Sequence, residues 1–315
     1  MKLLILGDGH ITNTNPVGRT DNYFSTVKDK LANVAEIYHH EGCDALIETG
    51  DLVDSPHVSY EVISLLIDIV RNHGLKVFGV VGQHDIFGHS LNTIKRSPMS
   101  VLQSSNTVTL LGAEGTQIYM QIRAYGASFG EPIPVPTGSD SFSILVIHKM
   151  IGDRQLYPGQ ELEEPRAFLR QNAAYDLIIC GDYHYRFIDS IGGRFIVNPG
   201  AMLRKTRSEW DLKHEPAVII FDTITRTCKT VLLNFKPVET VFDLTETKKH
   251  DNEALMRFVA ALKANTNVQI DWKEVLLKVA TERHASDAVK LAIDHCMEET
   301  QLEKSLPKVG EISWT

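Results

Sequence analysis

The chain has 315 residues, 43% of them hydrophobic and 23% charged, an ordinary globular composition that excludes a disordered or collagen-like chain and leaves ample apolar material for a core. Its 32 Lys and Arg against 40 Asp and Glu give a net charge of −8, so no global basic field advertises nucleic acid or an anionic membrane. Cys43, Cys180, Cys228 and Cys296 stand far apart without a CxxC pair, the opening MKLLIL is too short for a signal core, and no apolar run approaches the roughly 18 residues of a membrane span; a reducing cytoplasm is expected.

Along the chain, short apolar runs alternate with helix-period stretches: Leu3 to Leu6, Tyr23 to Ile37, Ala45 to Ile47, Val58 to Val70 and Val77 to Val81. The rhythm returns at Ser143 to Ile147, a helical Leu162 to Leu169, and Leu177 to Cys180, as in an α/β core whose strands are buried on both faces. Alternation and turn signals between Thr107 and Phe129, and from Phe187 to Phe235, predict hairpins and therefore two mixed sheets. Glu131 to Asp140, carrying three prolines, reads as a surface loop. The pattern changes after Lys236-Pro237, so a boundary is placed at Phe235, giving domains 1–235 and 236–315. Val241 to Leu244 fits one more strand. Glu253 to Leu262, Lys273 to Val279 and Ala288 to Cys296 fit short amphipathic helices with Asp251, Asp271 and Ser286 as N-caps.

The chemistry lies where these strands end. Asp8-Gly9-His10 follows the first strand, Gly50-Asp51-Leu52-Val53-Asp54 the second and Gly82-Gln83-His84-Asp85 the third; His148 and Gly181-Asp182-Tyr183-His184 close two more. Ligands bind beyond the carboxyl ends of strands in open α/β sheets, and glycines there let backbone approach closely. Carboxylates mixed with imidazoles suit divalent first-row metals, and one carboxylate can bridge a pair of them. Taken singly, each residue has an ordinary structural role, such as a helix cap or a hydrogen-bonded buried histidine. Five strand ends carrying such groups together are hard to obtain by accident.

The order D-x-H, G-D-x-x-D, G-Q-H-D, H, G-D-x-H resembles the calcineurin-like metallophosphoesterases, departing at Gln83, where an Asn is usual, and at Asp182, where a His is usual. A closer resemblance, to SbcD-type DNA nucleases and particularly their phage members, rests on Gly50-Asp51-Leu52-Val53-Asp54-Ser55-Pro56, Gly82-Gln83-His84-Asp85 and Asn198-Pro199-Gly200-Ala201-Met202-Leu203-Arg204. It implies a four-layer αββα sandwich of two mixed sheets with a small C-terminal α+β or helical domain that caps the DNA. It also implies two divalent ions, with Asp8, His10, Asp51 and His184 at one, Asp51 bridging, and Gln83, His148 and Asp182 completing the other. A metal-bound water attacks phosphorus in such enzymes, so no side-chain nucleophile is required. His84 is then the transition-state stabiliser or leaving-group acid, with the Asp54 carboxylate as its orienter. The oxygen donors Gln83 and Asp182 favour Mn²⁺, or Mg²⁺, over Zn²⁺.

The function so implied is a DNA exonuclease with single-strand endonuclease activity, working in DNA repair and recombination as a homodimer joined through the helices near Tyr23 to Ile37 and Val58 to Val70, with an SbcC-like SMC/ABC ATPase. Arg19, Lys149, Arg186, Arg204, Lys205 and Arg207 are candidate DNA-backbone contacts, Arg204 and Lys205 foremost, against the plain reading of solvating surface charges. His89, five residues past His84, is a further site candidate. Two other readings stay open: a related enzyme acting on a small phosphodiester or phosphoprotein, and a non-catalytic subunit binding DNA or a partner.

Overall fold

The computed structural model describes residues 1–137, 141–156, 160 and 162–244. The chain divides into a large unit, Met1–Glu246, and a remainder outside the described residues, where the three expected C-terminal helices fall. In chain order the large unit runs β1 (Lys2–Leu6), α1 (Tyr23–His40), β2 (Ala45–Glu48), α2 (Tyr60–His73), β3 (Val77–Gly79), α3 (Pro98–Ser104), β4 (Thr109–Leu110), β5 (Thr116–Tyr119) and β6 (Ile122–Ala127). It continues with β7 (Phe142–His148), α4 (Pro165–Gln171), β8 (Leu177–Gly181), β9 (Phe187–Ile191), β10 (Arg194–Asn198), α5 (Glu209–Lys213), β11 (Ala217–Asp222) and β12 (Thr227–Leu232).

Two six-stranded sheets result, in the orders β12-β11-β1-β2-β3-β4 and β5-β6-β7-β8-β10-β9. Each has four parallel strands, β1 to β4 in one and β6, β7, β8 and β10 in the other. The flanking strands are antiparallel, which makes both sheets mixed as expected.

The two-residue period of the strands sorts their side chains into three cores. Leu3 and Ile5 of β1 face the other sheet and pack with Phe142, Ile144 and Val146 of β7. Leu4 and Leu6 face the opposite way, onto Val27, Leu31 and Val34 of α1 and Val62 and Leu66 of α2. The outer face of the second sheet packs Leu145, Ile147 and Ile178 against Phe168 and Leu169 of α4. Three cores imply four layers, helices outside two facing sheets. Each fully buried Leu or Ile contributes about 1.5–3 kcal/mol, so the strands are fixed from both faces.

Local chemistry sets the helix ends. Asn22 caps α1 by accepting from the Ser25 amide at 2.9 Å, and Gly74 ends α2 in the left-handed region at φ 59°. The expected helix at Leu162 begins only at Pro165, whose missing N–H and fixed φ suit a first helical position, with the Glu164 carboxylate accepting from the Arg166 and Ala167 amides. Val241 to Leu244 is not a strand. A 3-10 turn at Val238–Thr240 precedes it, and the Val241 carbonyl and Asp243 amide bond instead to the loop at Gly18 and Thr20, burying Phe242 against the large unit. Among the described residues no helix is long and apolar enough to cross a membrane.

Candidate metal centre and active site

The loops that follow β1 and β2 continue their parallel pairing beyond the strands: the His10 and Ile11 amides donate to the carbonyls of Asp51 and Leu52 at 2.8 and 3.0 Å. This brings the first two motifs side by side. His10, Asp51 and Asp182 all sit at positive φ, 41°, 53° and 78°, a conformation costly for non-glycine residues that a surrounding scaffold must impose. Gly50 is needed for the same closeness: a Cβ on it would lie 2.5 Å from Nδ1 of His148, and one on Gly82 would strike the Asp51 carboxylate.

Asp85 supplies much of that scaffold. Fully buried, its carboxylate accepts from the amides of Asp51 (2.9 Å), Val53 (3.0 Å) and Gly82 (2.9 Å), tying the loop after β2 to the loop after β3. Burial and the neighbouring Asp51 charge push its pKa up to about 7, against the pull of the Val53 and Gly82 amides. Glu48, at the end of β2, accepts from the Gly50 amide at 3.0 Å, and burial, with the neighbouring Asp85 charge, raises its pKa well above the ordinary carboxylate value. The Asn198-Pro199-Gly200 segment does the equivalent work on the other side. Nδ2 of the Asn198 side chain donates to the Tyr183 carbonyl at 2.6 Å, and the backbone amides of Ala201 and Met202 donate to the carbonyls of His184 and Asp8.

Two donor clusters converge on this scaffold. Asp8, His10 and His184 form the first: Nε2 of His184 lies 3.2 Å from Nε2 of His10 and 3.4 Å from Oδ2 of Asp8. Asp51, His148 and Asp182 form the second, with Nε2 of His148 at 3.4 Å from Oδ2 of Asp51 and 4.0 Å from Oδ1 of Asp182. Oδ2 of Asp51 is also 3.8 Å from Nε2 of His10, so the Asp51 carboxylate stands between the two clusters, where the resemblance puts a bridging ligand. Gln83 joins the second cluster, its Nε2 donating to Oδ1 of Asp182 at 2.8 Å.

These residues fit divalent cations. Ligands about 2.1 Å from a shared ion lie roughly 3.0–3.5 Å from one another, close to the spacings in the first cluster. Nδ1 of His148 donates to the Thr49 carbonyl at 2.7 Å, which fixes the tautomer and leaves Nε2 as a lone pair. That Nε2, together with Oε1 of Gln83, is buried without a hydrogen-bond partner, an arrangement that costs free energy unless something electrophilic is met there. Burial works against the charged imidazole of His148, but the Asp51 carboxylate 3.4 Å away, with Asp8 and Asp182, prevails and raises its pKa to about 10. For Asp8 burial is likewise outweighed, by His184, His148 and His10, which hold it well below the usual carboxylate range. Burial, with the charges of Asp8 and Asp51, raises Asp182.

The other expected residues distribute unevenly. His84 reaches the cluster, its amide donating to Oδ1 of Asp51 at 2.7 Å and its Nδ1 lying 3.2 Å from the Asp54 carbonyl. The Asp54 carboxylate does not orient His84. It takes an ion pair from Lys205 and lies 3.4 Å from Nδ1 of His10. Burial would raise Asp54, but His10 and Lys205 bring it down to about 2. Lys205 is thus a partner of this chain's own acid.

Nor are Arg19 and Arg204 free cations. Both are buried; Arg19 forks onto Asp21 at 2.8 Å and donates to the Arg204 carbonyl, while Arg204 bonds the Lys236 carbonyl and lies over Phe235. Lys149 pairs with Glu163, and Arg207 donates to the Asp243 carbonyl at 3.2 Å. Of the six, Arg186 and Lys205 line cavities beside the cluster. His89 is exposed, its ring 6.3 Å from that of His84.

Three cavities adjoin the cluster, of about 320, 400 and 510 Å³, and all three share Trp210 of α5 as a wall. The hairpin reading of 187–235 missed this helix, which has only five residues; its signal is Ser208, whose hydroxyl caps it by accepting from the Asp211 amide.

A four-layer sandwich with carboxylate and imidazole donors at the strand ends of both sheets defines a metal-dependent phosphoesterase. Residues 1–224 match the calcineurin-like phosphoesterase superfamily domain, and the chain belongs to that superfamily. The fold is similar to that of a dimetal phosphatase from Danio rerio (10% identity, TM-score 0.48, covering 74% of this chain and 99% of that one). It is also similar to an archaeal phosphodiesterase (15%, TM-score 0.41, 74% and 100%) and to a 5′-nucleotidase precursor from Thermus thermophilus (10%, TM-score 0.42, 85% and 60%). No curated protein matches the sequence.

Proposed function

We propose that this phosphoesterase is a DNA phosphodiesterase of the SbcD type, cleaving as an exonuclease with single-strand endonuclease activity. The observation that supports a polymeric substrate is the row of three cavities meeting at Trp210, which leaves the donor clusters beside an extended cleft. The motif order and the Asn198 to Arg204 segment support the nuclease branch over other phosphoesterases.

Asp8, His10 and His184 would hold one ion and Gln83, His148 and Asp182 the other, with Asp51 between them. When bound, a pair of divalent cations acidifies water for attack and neutralises charge on the phosphate. The chain's residues do the positioning. Thr49 locks the His148 tautomer, Asp54 with Lys205 sets His10, and the Asp54 carbonyl holds the Nδ1 proton of His84, so that its imidazolium form has Nε2–H to give to a phosphate or leaving oxygen. The carboxylate-rich second cluster favours Mn²⁺, with Mg²⁺ as the alternative. A homodimer through α1 and α2 and an SbcC-like ATPase partner belong to the same proposal; light scattering on the purified chain tests the first.

The deciding experiment incubates end-labelled single- and double-stranded DNA with the full chain and Mn²⁺ or Mg²⁺, beside His84→Ala. Cleavage by wild type, reduced roughly 10²–10⁴-fold in the variant while both ions still bind, is the expected result. Turnover of a phosphopeptide or a small phosphodiester with intact DNA would overturn it.

A further inference from the structure

Beside the metal centre lies a pocket of about 510 Å³ that the mechanism above does not use. Its floor is aromatic. Trp210 stacks on His214 with ring centroids 4.4 Å apart and planes 22° from parallel, and its ring lies 5.1 Å from that of Tyr185. His214 is a neutral prop: burial brings its pKa down to about 4, and Nε2 donates to the Ala201 carbonyl at 2.6 Å. The indole is thereby fixed in place, 5.7 Å from the ring of His184, a residue of the first donor cluster.

The rim carries three cations beside the acids Glu209 and Glu215: Arg154 lies over the Tyr185 ring at 4.9 Å and 3.5 Å from the Asp153 carboxylate, Arg186 donates to the Glu215 carbonyl from the pocket wall, and Lys213 pairs with Glu209. An indole ring buttressed on one face, with guanidinium groups beside it, is an arrangement that stacks a nucleobase and meets the phosphates flanking it. Because Trp210 also walls the two cavities at the donor clusters, a base resting there belongs to a nucleotide next to the reacting phosphate.

We infer that the Tyr185–Trp210 pocket is a nucleobase subsite that seats one unpaired nucleotide flanking the scissile phosphodiester. The inference rests on the nuclease reading and deepens it: the enzyme grips unstacked bases, so single-stranded DNA or a frayed end is the preferred substrate at this position. Base–aromatic stacking is sequence-tolerant, so the pocket confers strand-state preference without sequence preference.

The test is a binding measurement on the full chain in EDTA, where no cleavage occurs, using fluorescein-labelled oligothymidylate and an abasic chain of the same length and charge. Wild type should bind the thymidylate roughly tenfold or more tightly than the abasic chain. Trp210→Ala should abolish that preference while leaving abasic binding unchanged, and Trp210→Phe should retain most of it. Equal binding of the two chains by wild type, or a loss in Trp210→Ala that falls equally on both, would overturn the subsite. DNA cleavage with no base preference would discard the subsite and keep the nuclease reading; base preference without cleavage of DNA would do the reverse.

Discussion

Asp85 touches no substrate in the proposed mechanism, yet it offers the sharpest test of how the site is built. Oδ2 of its carboxylate accepts from the Asp51 and Gly82 amides and Oδ1 from the Val53 amide, all at 2.9–3.0 Å and all buried. In Asp85→Asn the amide oxygen can keep the first two bonds, but its NH₂ then opposes the Val53 N–H, at a cost of about 1–3 kcal/mol for one unsatisfied buried donor. In Asp85→Ala all three donors are orphaned, and the cost rises to about 3–6 kcal/mol. For a unit of this size each kcal/mol moves the midpoint by about 2–4 °C, so the Asn variant should melt roughly 2–12 °C lower by calorimetry. Because Asp51 and Gln83 ride on the loops Asp85 joins, Mn²⁺ affinity by isothermal titration should fall about 10–100-fold in the Asn variant, the usual size of such supporting effects. An alanine variant that melts within about a degree of wild type and binds Mn²⁺ equally well would refute the scaffold argument.

Three further outcomes follow. His148 has its folded pKa raised from 6.5 to about 10, so its stabilising contribution to the metal-free protein is fully present below about pH 6.5 and lost as pH rises through 10. The melting difference between wild type and His148→Gln in EDTA should therefore shrink from pH 7 to pH 10; a constant difference would contradict it. Asp182→His should shift activation from Mn²⁺ toward Zn²⁺ in a metal titration, because it exchanges a hard charged oxygen for a neutral imidazole, and an unchanged profile would tell against the oxygen-donor reading. Lys205→Met should let the Asp54 carboxylate pKa climb from about 2 toward its ordinary value and weaken the ion held by His10 about tenfold, with little change in the salt dependence of DNA binding. A salt slope reduced by about one unit would instead make Lys205 a phosphate contact.

The strands and the donor residues were legible in the sequence for one reason: parallel strands buried on both faces read as unbroken apolar runs, and the groups at their ends stand out against them. Asp8, Asp51, His148 and His184 each lie within three residues of the end of a strand, so the topology that brings them together was readable. What escaped depends on side-chain direction and on partners far along the chain. Lys205 and Asp54 are 151 residues apart, and Arg19 and Arg204 are 185, so nothing local distinguishes a buried, satisfied cation from one facing DNA. Asp54 illustrates the same limit at short range. Its motif position promised a partner for His84, but its carbonyl meets that imidazole and its carboxylate meets His10.

The donors come from both sheets: Asp8, His10, Asp51 and Gln83 follow strands of one, whereas His148, Asp182 and His184 follow strands of the other. The Asp8–His10–His184 and Asp51–His148–Asp182 clusters are each complete only when the two sheets dock, whereas the His10, Asp51 and His84 donors stand together on one sheet. A folding species with a single sheet formed would lack both two-sheet clusters, and every ion held across them acts as a clasp over the middle core, adding resistance to separation of the layers by mass action.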